Sequence, residues 1–196
     1  FQVYNPQPVE AQVELAIDLD DGEAEPIRIT VPRESRTSVV ANEESRIPKG
    51  VGHAVTARST NGVDVVIERS IDGVAPSTRL GFGSSPGARA LATGWALAAG
   101  AADDATDELL VFQNPGPTAA RVSVSLLADG SAQPVAGLEA LDVPAEARRV
   151  IRVSDHLKRN PLPLVVTSTQ PLALDRLLAE KAGLGLSITP AIPLRT

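Results

Sequence analysis

Hydrophobic and polar residues alternate along much of this chain with a period of two. In residues 11–19 the apolar side chains occupy the odd-numbered positions, and residues 120–126 show the same alternation. A period of two is typical of a β-strand with one face in the core and the other in solvent. We therefore expect six apolar side chains to be buried: Val13, Leu15, Ile17, Val122, Val124 and Leu126. The polar residues between them are expected to face solvent, among them Gln12, Glu14, Arg121 and Ser123.

Shorter alternating segments recur roughly every ten residues, with Gly and Pro between them. They cover residues 27–31, 55–57, 63–67, 109–112, 162–166, 172–174 and 184–188. This spacing favours an all-β fold, built as an antiparallel β-sandwich of the Ig-like type. Residues 174–182 have helical composition, but their alignment with residues 63–68 predicts a strand that runs into a turn. Residues 154–159 predict one short helical turn, with Ser154 as its cap.

The chain contains an internal repeat. Asn5 and its two nearby prolines recur 109 positions later, at Asn114. Three further blocks recur in the same order: residues 31–36 at 143–148, 59–60 at 168–169, and 80–86 at 184–190. Ordered blocks of this kind indicate two copies of one structural unit. We predict two tandem, related β-sandwich units, residues 1–87 and residues 88–196, with room for one short helical turn in each.

The two predicted units differ at their front ends. Residues 88–113 precede Asn114, whereas only residues 1–4 precede Asn5. If the longer segment, which carries Trp95, adds an edge strand to the second unit, the first unit lacks that strand. An unpaired sheet edge is a liability that proteins cover or blunt. We therefore expect that the chain is a fragment of a longer exported protein, and that its first unit has an edge that is open or covered by a neighbouring chain.

Composition and charge exclude several classes of function. The net charge is −6 at pH 7 and the 18 Lys and Arg residues form no cluster, which argues against binding nucleic acid or an anionic membrane surface. The chain has no cysteine, so a disulfide, a thiolate zinc site and a cysteine nucleophile are excluded. Aromatic residues make up only 3%, so the core must be built from aliphatic side chains.

Two acidic clusters resemble cation sites. Asp18, Asp20, Asp21 and Glu23 surround Gly22, but their spacing departs from that of an EF-hand loop, which needs Gly at its sixth position and Glu at its twelfth. A solvated hairpin turn is the better interpretation, because Asp and Gly favour such turns.

The second cluster contains Asp103, Asp104, Asp107 and Glu108. It could hold a cation, but runs of charge are commonly solvated. We interpret it as an exposed acidic loop before a strand.

Other candidate chemistry is weak. His53 and His156 are the only histidines and do not align in the repeat, so a transition-metal site is improbable. A Ser–His–Asp triad is compatible with the composition, but no G-x-S-x-G elbow is present. Residues 81–87 are Gly-rich but lack the Lys of a phosphate-binding loop, and we interpret them as a loop between units or at a strand end. Trp95 could stack on a sugar if exposed, but burial in the core is the commoner case.

Three segments carry a resemblance to a known family. They are Trp95 with the acidic, Gly/Ala-rich loop that follows it to Asp107, the Asn-Pro-Gly sequence at residues 114–116, and Ser-Pro-Gly-Ala-Arg at residues 85–89. In these segments the chain resembles an uncharacterised family of exported proteins from high-GC Gram-positive bacteria. The resemblance implies export, an N-terminal signal or anchor, and association with the cell envelope. It implies no known activity and no site residues.

The predicted function is that of a non-enzymatic, extracytoplasmic tandem β-sandwich protein with a structural or protein-interaction role at the cell envelope. Its partner would be an unidentified protein or an envelope polysaccharide, with no nucleic acid and no contact of this fragment with a membrane. We predict no catalytic residue, cofactor or metal. One alternative is a carbohydrate-binding module of the same architecture, which the scarcity of aromatic residues disfavours. Another is an enzyme with its site between the two units.

Overall fold

The computed structural model describes residues 1–20 and 22–194, and this part of the chain is all-β, with several antiparallel sheets. The sixteen strands of the described residues are β1 (Gln2–Asn5), β2 (Ala11–Leu19), β3 (Gly22–Val31), β4 (Ser35–Ser38), β5 (His53–Ser59), β6 (Val66–Gly73), β7 (Gly81–Pro86), β8 (Ala92–Leu97), β9 (Thr106–Asn114), β10 (Ala120–Ala128), β11 (Ser131–Pro134), β12 (Leu141–Val143), β13 (Ala147–Arg152), β14 (Leu164–Glu180), β15 (Leu186–Pro190) and β16 (Ile192–Pro193). The strand predicted over residues 174–182 is therefore confirmed as the end of β14.

Two short 3-10 turns, Ala41–Glu43 and Val153–Asp155, complete the secondary structure of the described residues. The predicted cap at Ser154 is wrong. The second turn begins after Arg152, has no side-chain cap and closes through a bond from His156 N–H to the Val153 carbonyl. Val153 is fully buried, so packing of this side chain into the core positions the turn without a cap.

The strands of residues 1–87 form two sheets, with strand orders β4-β1-β6-β7 and β3-β2-β5. Nine buried apolar residues between them form one hydrophobic cluster, which includes Val3, Val13, Leu15 and Val31. No residue beyond position 87 belongs to this cluster. Residues 1–87, called the N-terminal half below, therefore have a core of their own, the N-terminal cluster.

In residues 88–194, called the C-terminal half below, the long strand β14 takes part in two layers of strands. Its first part lies between β10 and β8, and its second part lies between β9 and β15. The register breaks between Thr167 and Leu172, where the strand passes from one layer to the other. A second hydrophobic cluster fills the space between the layers, with Trp95, Phe112, Leu164 and Leu174 among its members.

Strand pairing follows the sequence repeat residue by residue. In the N-terminal half Val13 pairs with Ser59 and Leu15 with Ala57, and 109 positions later Val122 pairs with Ser168 and Val124 with Val166. The pairing of β6 with β7 agrees with that of β14 with β15, since Glu68 pairs with Pro86 as Asp175 pairs with Pro190. The four aligned blocks thus correspond to equivalent places in the two sets of sheets.

The repeated asparagine closes the same corner in both halves. Asn5 is the last residue of β1 and Asn114 the last residue of β9, and both are fully buried. The Asn5 amide donates to the carbonyls of Val9, Val31 and Pro32, while its oxygen accepts from Gln7 N–H. Asn114 makes the equivalent bonds, to the carbonyls of Thr118, Val143 and Pro144 and from Gly116 N–H. A buried amide that satisfies several backbone groups explains why the Asn-Pro motif recurs.

The predicted core positions of β2 and β10 are confirmed. All six apolar side chains are buried, with at most 7% of their surface exposed. Of the intervening polar residues, Arg121 is exposed, whereas Gln12, Glu14 and Ser123 are half-buried.

The Gly-rich segment is not a loop, as the sequence suggested, but strand β7. Its glycines permit a close approach to β15 of the C-terminal half. Gly81 has a φ of +129°, and a Cβ there would lie 3.0 Å from the Leu186 nitrogen. A Cβ on Gly83 would lie 3.2 Å from the Ile188 side chain. The two halves therefore contact each other along β7 and β15, and a bond from Gly185 N–H to the Leu80 carbonyl joins them.

Candidate functional site

Strand β5 has a free edge, and this edge is the candidate site. β5 is the last strand in the order β3-β2-β5 and pairs only with β2 within the described residues. Its counterpart in the repeat is the first part of β14, which pairs with β10 on one side and with β8 on the other. The N-terminal half has no strand at the position of β8 in the part of the chain that the structure describes.

The hydrogen-bond pattern shows which backbone groups of β5 lie at this edge. Asp20 N–H donates to the Gly52 carbonyl (3.0 Å) and Thr60 N–H to the Gln12 carbonyl (2.8 Å). In an antiparallel pair, residues alternate between bonding to the partner and pointing away from it. The even-numbered residues therefore bond to β2. The N–H and C=O groups of Val55 and Ala57 point toward the free edge, and those of His53 and Ser59 lie at its two ends.

The core is also less completely covered beside this edge. Val55 and Ala57 face the N-terminal cluster but are only half-buried, whereas their counterparts Leu164 and Val166 are fully buried. Ten partly buried apolar residues border the N-terminal cluster, against three that border the larger C-terminal one. The free edge thus combines unpaired backbone groups with apolar surface that an additional strand would cover.

The outer face of β5 is polar. Glu14 of β2 accepts from Arg28 Nε at 2.9 Å and lies 3.4 Å from Arg58 Nη2. Both arginine side chains are largely exposed, so these pairs contribute little to stability. They give the outer side of β5 a mixed charge.

The predicted solvated hairpin turn holds for only part of the first acidic cluster, because Asp20 and Glu23 are exposed at the turn between β2 and β3, whereas Asp18 is covered. Asp18 is buried and accepts a 2.6 Å hydrogen bond from Gln113 Nε2 of β9, because the C-terminal half covers this end of β2. Burial raises the pKa of Asp18, and the bond from Gln113 opposes the rise. Asp20 forms an ion pair with Arg148 and accepts a bond from Gly52 N–H. Asp21 lies outside the described residues. Asp18 and Asp20 thus join the two halves.

The second acidic cluster is exposed only in its first part. Asp103 accepts from the N–H groups of Ala105 and Thr106, and hydrogen bonds lower its pKa, the bond from Asn160 most strongly. Asp104 pairs with Lys158, and both side chains are exposed. The prediction of an exposed loop is confirmed for Asp104, while Asp103 is half-buried.

The same prediction is wrong for Asp107 and Glu108, which lie in β9 and are buried. Successive residues of a strand point to opposite faces, so the two carboxylates are separated by the sheet. Asp107 lies 3.5 Å from Arg79 and 3.3 Å from Arg152. It is therefore a salt-bridge residue between the halves.

Glu108 points into the C-terminal core. Its Oε2 accepts from Ala101 N–H at 2.9 Å, and its Oε1 has no partner among the described residues. Burial raises the pKa of Glu108 from its ordinary value of 4.5 to about 7, opposed by the charge of Arg176 and the bond from Ala101. Burial with a single hydrogen bond among the described residues makes the charged form of this carboxyl costly, so its raised pKa links the stability of the fold to pH.

The remaining candidates from the sequence do not come together. Trp95 is buried, with 1% of its surface exposed, which confirms a core residue and excludes a sugar platform at this position. His53 packs edge-on against Phe1, while His156 lies 3.3 Å from the Ala136 carbonyl. Within the described residues, neither ring is hydrogen-bonded to a serine or a carboxylate, and no three potential ligands cluster to hold a metal ion.

A groove of about 570 Å³ lies between the halves, where the sequence analysis placed an alternative enzymatic site. Ile71, Leu177 and Leu186 supply apolar walls, and Arg79 supplies a positive charge. Asp72 and Ser77 also line it, but the Ser77 hydroxyl donates to the Arg79 carbonyl at 3.0 Å and makes no hydrogen bond to a carboxylate in the described part of the chain. The groove thus offers space and one cation without an activated nucleophile.

Comparisons with known proteins find structural likenesses over about half of the chain and no matching family. No family model and no curated protein matches the chain. The crystal structure of Thermotoga maritima 1070 is similar over 53% of this chain and 95% of that chain, with a TM-score of 0.46 and 18% identity. The Anabaena sensory rhodopsin transducer is similar over 43% of this chain and 94% of that chain, with a TM-score of 0.37 and 24% identity. At these TM-scores neither likeness supports a conclusion about function. Within the described residues, no helix has the length and apolar character needed to cross a membrane.

Proposed function

We propose that this chain is a non-enzymatic tandem β-sandwich protein that binds a protein partner through the free edge of β5. Its two Ig-like units would be residues 1–87 and residues 88–196. The setting we propose is extracytoplasmic, at the cell envelope, with the resemblance to exported proteins of high-GC Gram-positive bacteria as its only support.

The two-unit arrangement is supported by the repeated pairing register and by the repeated asparagine corner. Asn5 and Asn114 bind equivalent backbone groups, and each half has its own hydrophobic cluster. The halves also contact each other through paired charges such as Arg69 with Asp175, at 2.9 Å. A tandem protein with this contact would present the β5 edge in a fixed orientation.

The proposed interaction takes place at the free edge of β5. Val55 and Ala57 offer two N–H donors and two C=O acceptors that no strand uses within the described residues, beside half-buried apolar side chains. Unpaired edge groups of this kind accept an added strand, whose backbone supplies affinity and whose alternate side chains supply specificity. β3 forms the other edge of the same sheet, but its counterparts in the repeat, β11 and β12, also pair only with β10 within the described residues, whereas β8 covers the counterpart of β5.

A selection from a library of displayed random peptides tests this proposal. We expect peptides to be enriched on the wild-type chain and not on Ala57→Pro, which removes an N–H that points away from β2. Proline is tolerated at such positions of edge strands. Arg58→Ala, whose backbone bonds to β2, is the matched control and should retain the enriched peptides. Circular dichroism and thermal melting verify that both variants fold.

Enrichment that is equal on the wild-type chain and the folded Ala57→Pro variant, or no enrichment at all, would contradict the proposed role of the edge. If Ala57→Pro does not fold, Val55→Lys replaces it, because a charge facing the apolar surface also blocks strand addition.

A carbohydrate-binding module remains the second candidate. Tyr4 of β1 and Phe82 of β7 are exposed, with 45% and 65% of their surfaces accessible, and belong to the same sheet. Tyr4 lies opposite Val66 and Phe82 opposite Asp72, so the rings are six residues of β6, about 20 Å, apart and would stack on different sugar units of a chain. A glycan array tests this candidate. Binding that Tyr4→Ala and Phe82→Ala abolish would favour it, and an array without binding would remove it.

A further inference from the structure

We infer that the strand accepted by β5 runs antiparallel to it and places a large aromatic side chain opposite Ala57 and a leucine-sized side chain opposite Val55. This inference rests on the proposed function, which requires only that the edge accepts a strand. It goes further by giving the direction, the register and the side-chain pattern of the partner.

Strand β8 shows how this edge is covered in the C-terminal half. It runs antiparallel to β14, with Trp95 opposite Val166 and Leu97 opposite Leu164. Both of its large side chains are buried in the C-terminal cluster, with 1% and 3% of their surfaces exposed. The strand therefore closes one sheet edge and supplies the largest residue of the core.

The repeat transfers this register to β5 without adjustment. Val166 and Leu164 correspond to Ala57 and Val55 at the same separation of 109 positions that relates β10 to β2. The same backbone groups face the edge in both halves. Leu127 N–H donates to the Pro163 carbonyl, so the odd-numbered residues in this part of β14 bond to β10. The backbone groups of Leu164 and Val166 therefore point toward β8. The groups that bond to β8 are therefore the counterparts of the groups that β5 leaves free.

Side-chain size supports the pattern of the partner. Ala57 is smaller than its counterpart Val166, and Val55 is smaller than Leu164, so the edge of the N-terminal core leaves more room than the edge of the C-terminal core. A tryptophan and a leucine on the added strand would fill this room and cover the half-buried residues that border it. Opposite the outward-facing positions, β8 carries the small residues Gly94 and Ala96. The expected partner thus alternates small and large residues.

A second copy of this chain does not fit as the donor. Its β8 has the required pattern, but this strand is already bonded on both sides, to β14 and to β16, and Trp95 is buried. Pairing of β5 with the β5 of another copy would bring only Val55 and Ala57 to the apolar surface and would leave it underfilled. We therefore assign the edge to a strand of a different protein that carries this pattern of small and large residues.

A synthetic peptide tests the inference directly. The peptide carries residues 90–99 of this chain, a fluorescent label and two added lysines for solubility, and its binding to the full chain is measured by fluorescence anisotropy. We expect a dissociation constant that is roughly micromolar, and binding at least tenfold weaker for the peptide with Trp95→Ala, because the lost apolar burial exceeds about 1.4 kcal/mol. The Ala57→Pro chain should also bind the peptide at least tenfold more weakly.

N-methylation of the peptide tests the register. A methyl group on the nitrogen of Trp95 or Leu97 blocks a bond to β5 and should reduce affinity at least tenfold. A methyl group on the nitrogen of Ala96, which faces away from β5, is the matched control and should change affinity by less than threefold. Methylation is chemically the same change at each position, so only strand addition in this register predicts the difference.

The outcomes separate this inference from the proposed function. If the library selection enriches peptides that Ala57→Pro loses, but the residue 90–99 peptide does not bind, the edge accepts strands and the inferred partner pattern is wrong. Binding that is insensitive to Trp95→Ala, or equally sensitive to methylation at Trp95 and Ala96, also overturns the inference. A chain that dimerises through β5 and excludes the peptide contradicts it in favour of a second copy.

Discussion

Replacement of Asn114 by alanine should remove about 2–4 kcal/mol from the free energy of unfolding of the C-terminal half. The side chain is fully buried and binds four backbone groups: the carbonyls of Thr118 (2.9 Å), Val143 (3.3 Å) and Pro144 (2.9 Å), and the Gly116 N–H (3.2 Å). The amide has two hydrogens, so the three carbonyls share them, and the loss corresponds to three hydrogen bonds. At about 1 kcal/mol each, with a further cost for buried groups left unpaired, the sum lies in this range.

Urea denaturation measures this loss. Trp95 is the only tryptophan and is buried in the C-terminal cluster, so its fluorescence reports the unfolding of that half. Asn5→Ala should cost a similar amount in the N-terminal half, measured by circular dichroism, because its bonds are equivalent. Asn42→Ala is the control, since Asn42 is exposed, and should change stability by less than about 0.5 kcal/mol. A loss below about 1 kcal/mol for both Asn5→Ala and Asn114→Ala would refute the structural role of the repeated corner.

Three further predictions concern the core, a glycine and pH. Val124→Ala should cost about 1–3 kcal/mol in urea denaturation through lost burial and a residual cavity, whereas Leu127→Ala, at an exposed position, should cost much less. Gly81→Ala should destabilise the chain by about 1–3 kcal/mol, because of its positive φ and its approach to β15, while Gly87→Ala, with open space around it, should be nearly neutral in thermal melts. The raised pKa of Glu108, about 7 against 4.5 unfolded, means that the folded state holds the proton more tightly. The contribution of Glu108 to stability is therefore present below pH 4.5 and is lost as the pH rises to 7, by up to about 3 kcal/mol. Glu108→Gln should abolish this loss, and denaturation series at several pH values across this range measure it.

The sequence predicts those parts of the fold that depend on one strand and its nearest neighbours. Alternation in residues 11–19 and 120–126 identifies β2 and β10 and the side chains they bury. The recurrence of Asn5 as Asn114 locates the strand ends from which the two halves can be aligned. A strand that buries one face leaves this signal in any context, because its period is local.

The errors arise where a second surface covers a face that the pattern assigns to solvent. Asp18 is polar and falls on the outer face of β2, yet Gln113 lies against it from the other half of the chain. Asp107 is buried in the same way by Arg79 and Arg152. Such contacts join residues far apart in sequence, and no local period predicts them.

The sequence predicts one part of the candidate site and not the other. The shorter segment before Asn5 predicts an open edge in the N-terminal half, and the structure has that edge at β5. The sequence does not give the groups at the edge, because the orientation of the Val55 and Ala57 backbone depends on which residues of β5 bond to β2. The hydrogen bonds from Asp20 and Thr60 at the two ends of the pair fix this orientation.

Residue-resolved amide hydrogen exchange tests the central claim, that β5 has a free edge, most directly. The N–H groups of Val55 and Ala57 should exchange rapidly, while those of Thr56 and Arg58, bonded to β2, should be protected. Leu164 and Val166 are internal controls, because β8 bonds to them, and both should be protected. Addition of the residue 90–99 peptide should slow exchange at Val55 and Ala57. Protection of these two amides in the free chain, equal to that of Thr56 and Arg58, would show that the edge is already closed and would contradict the account.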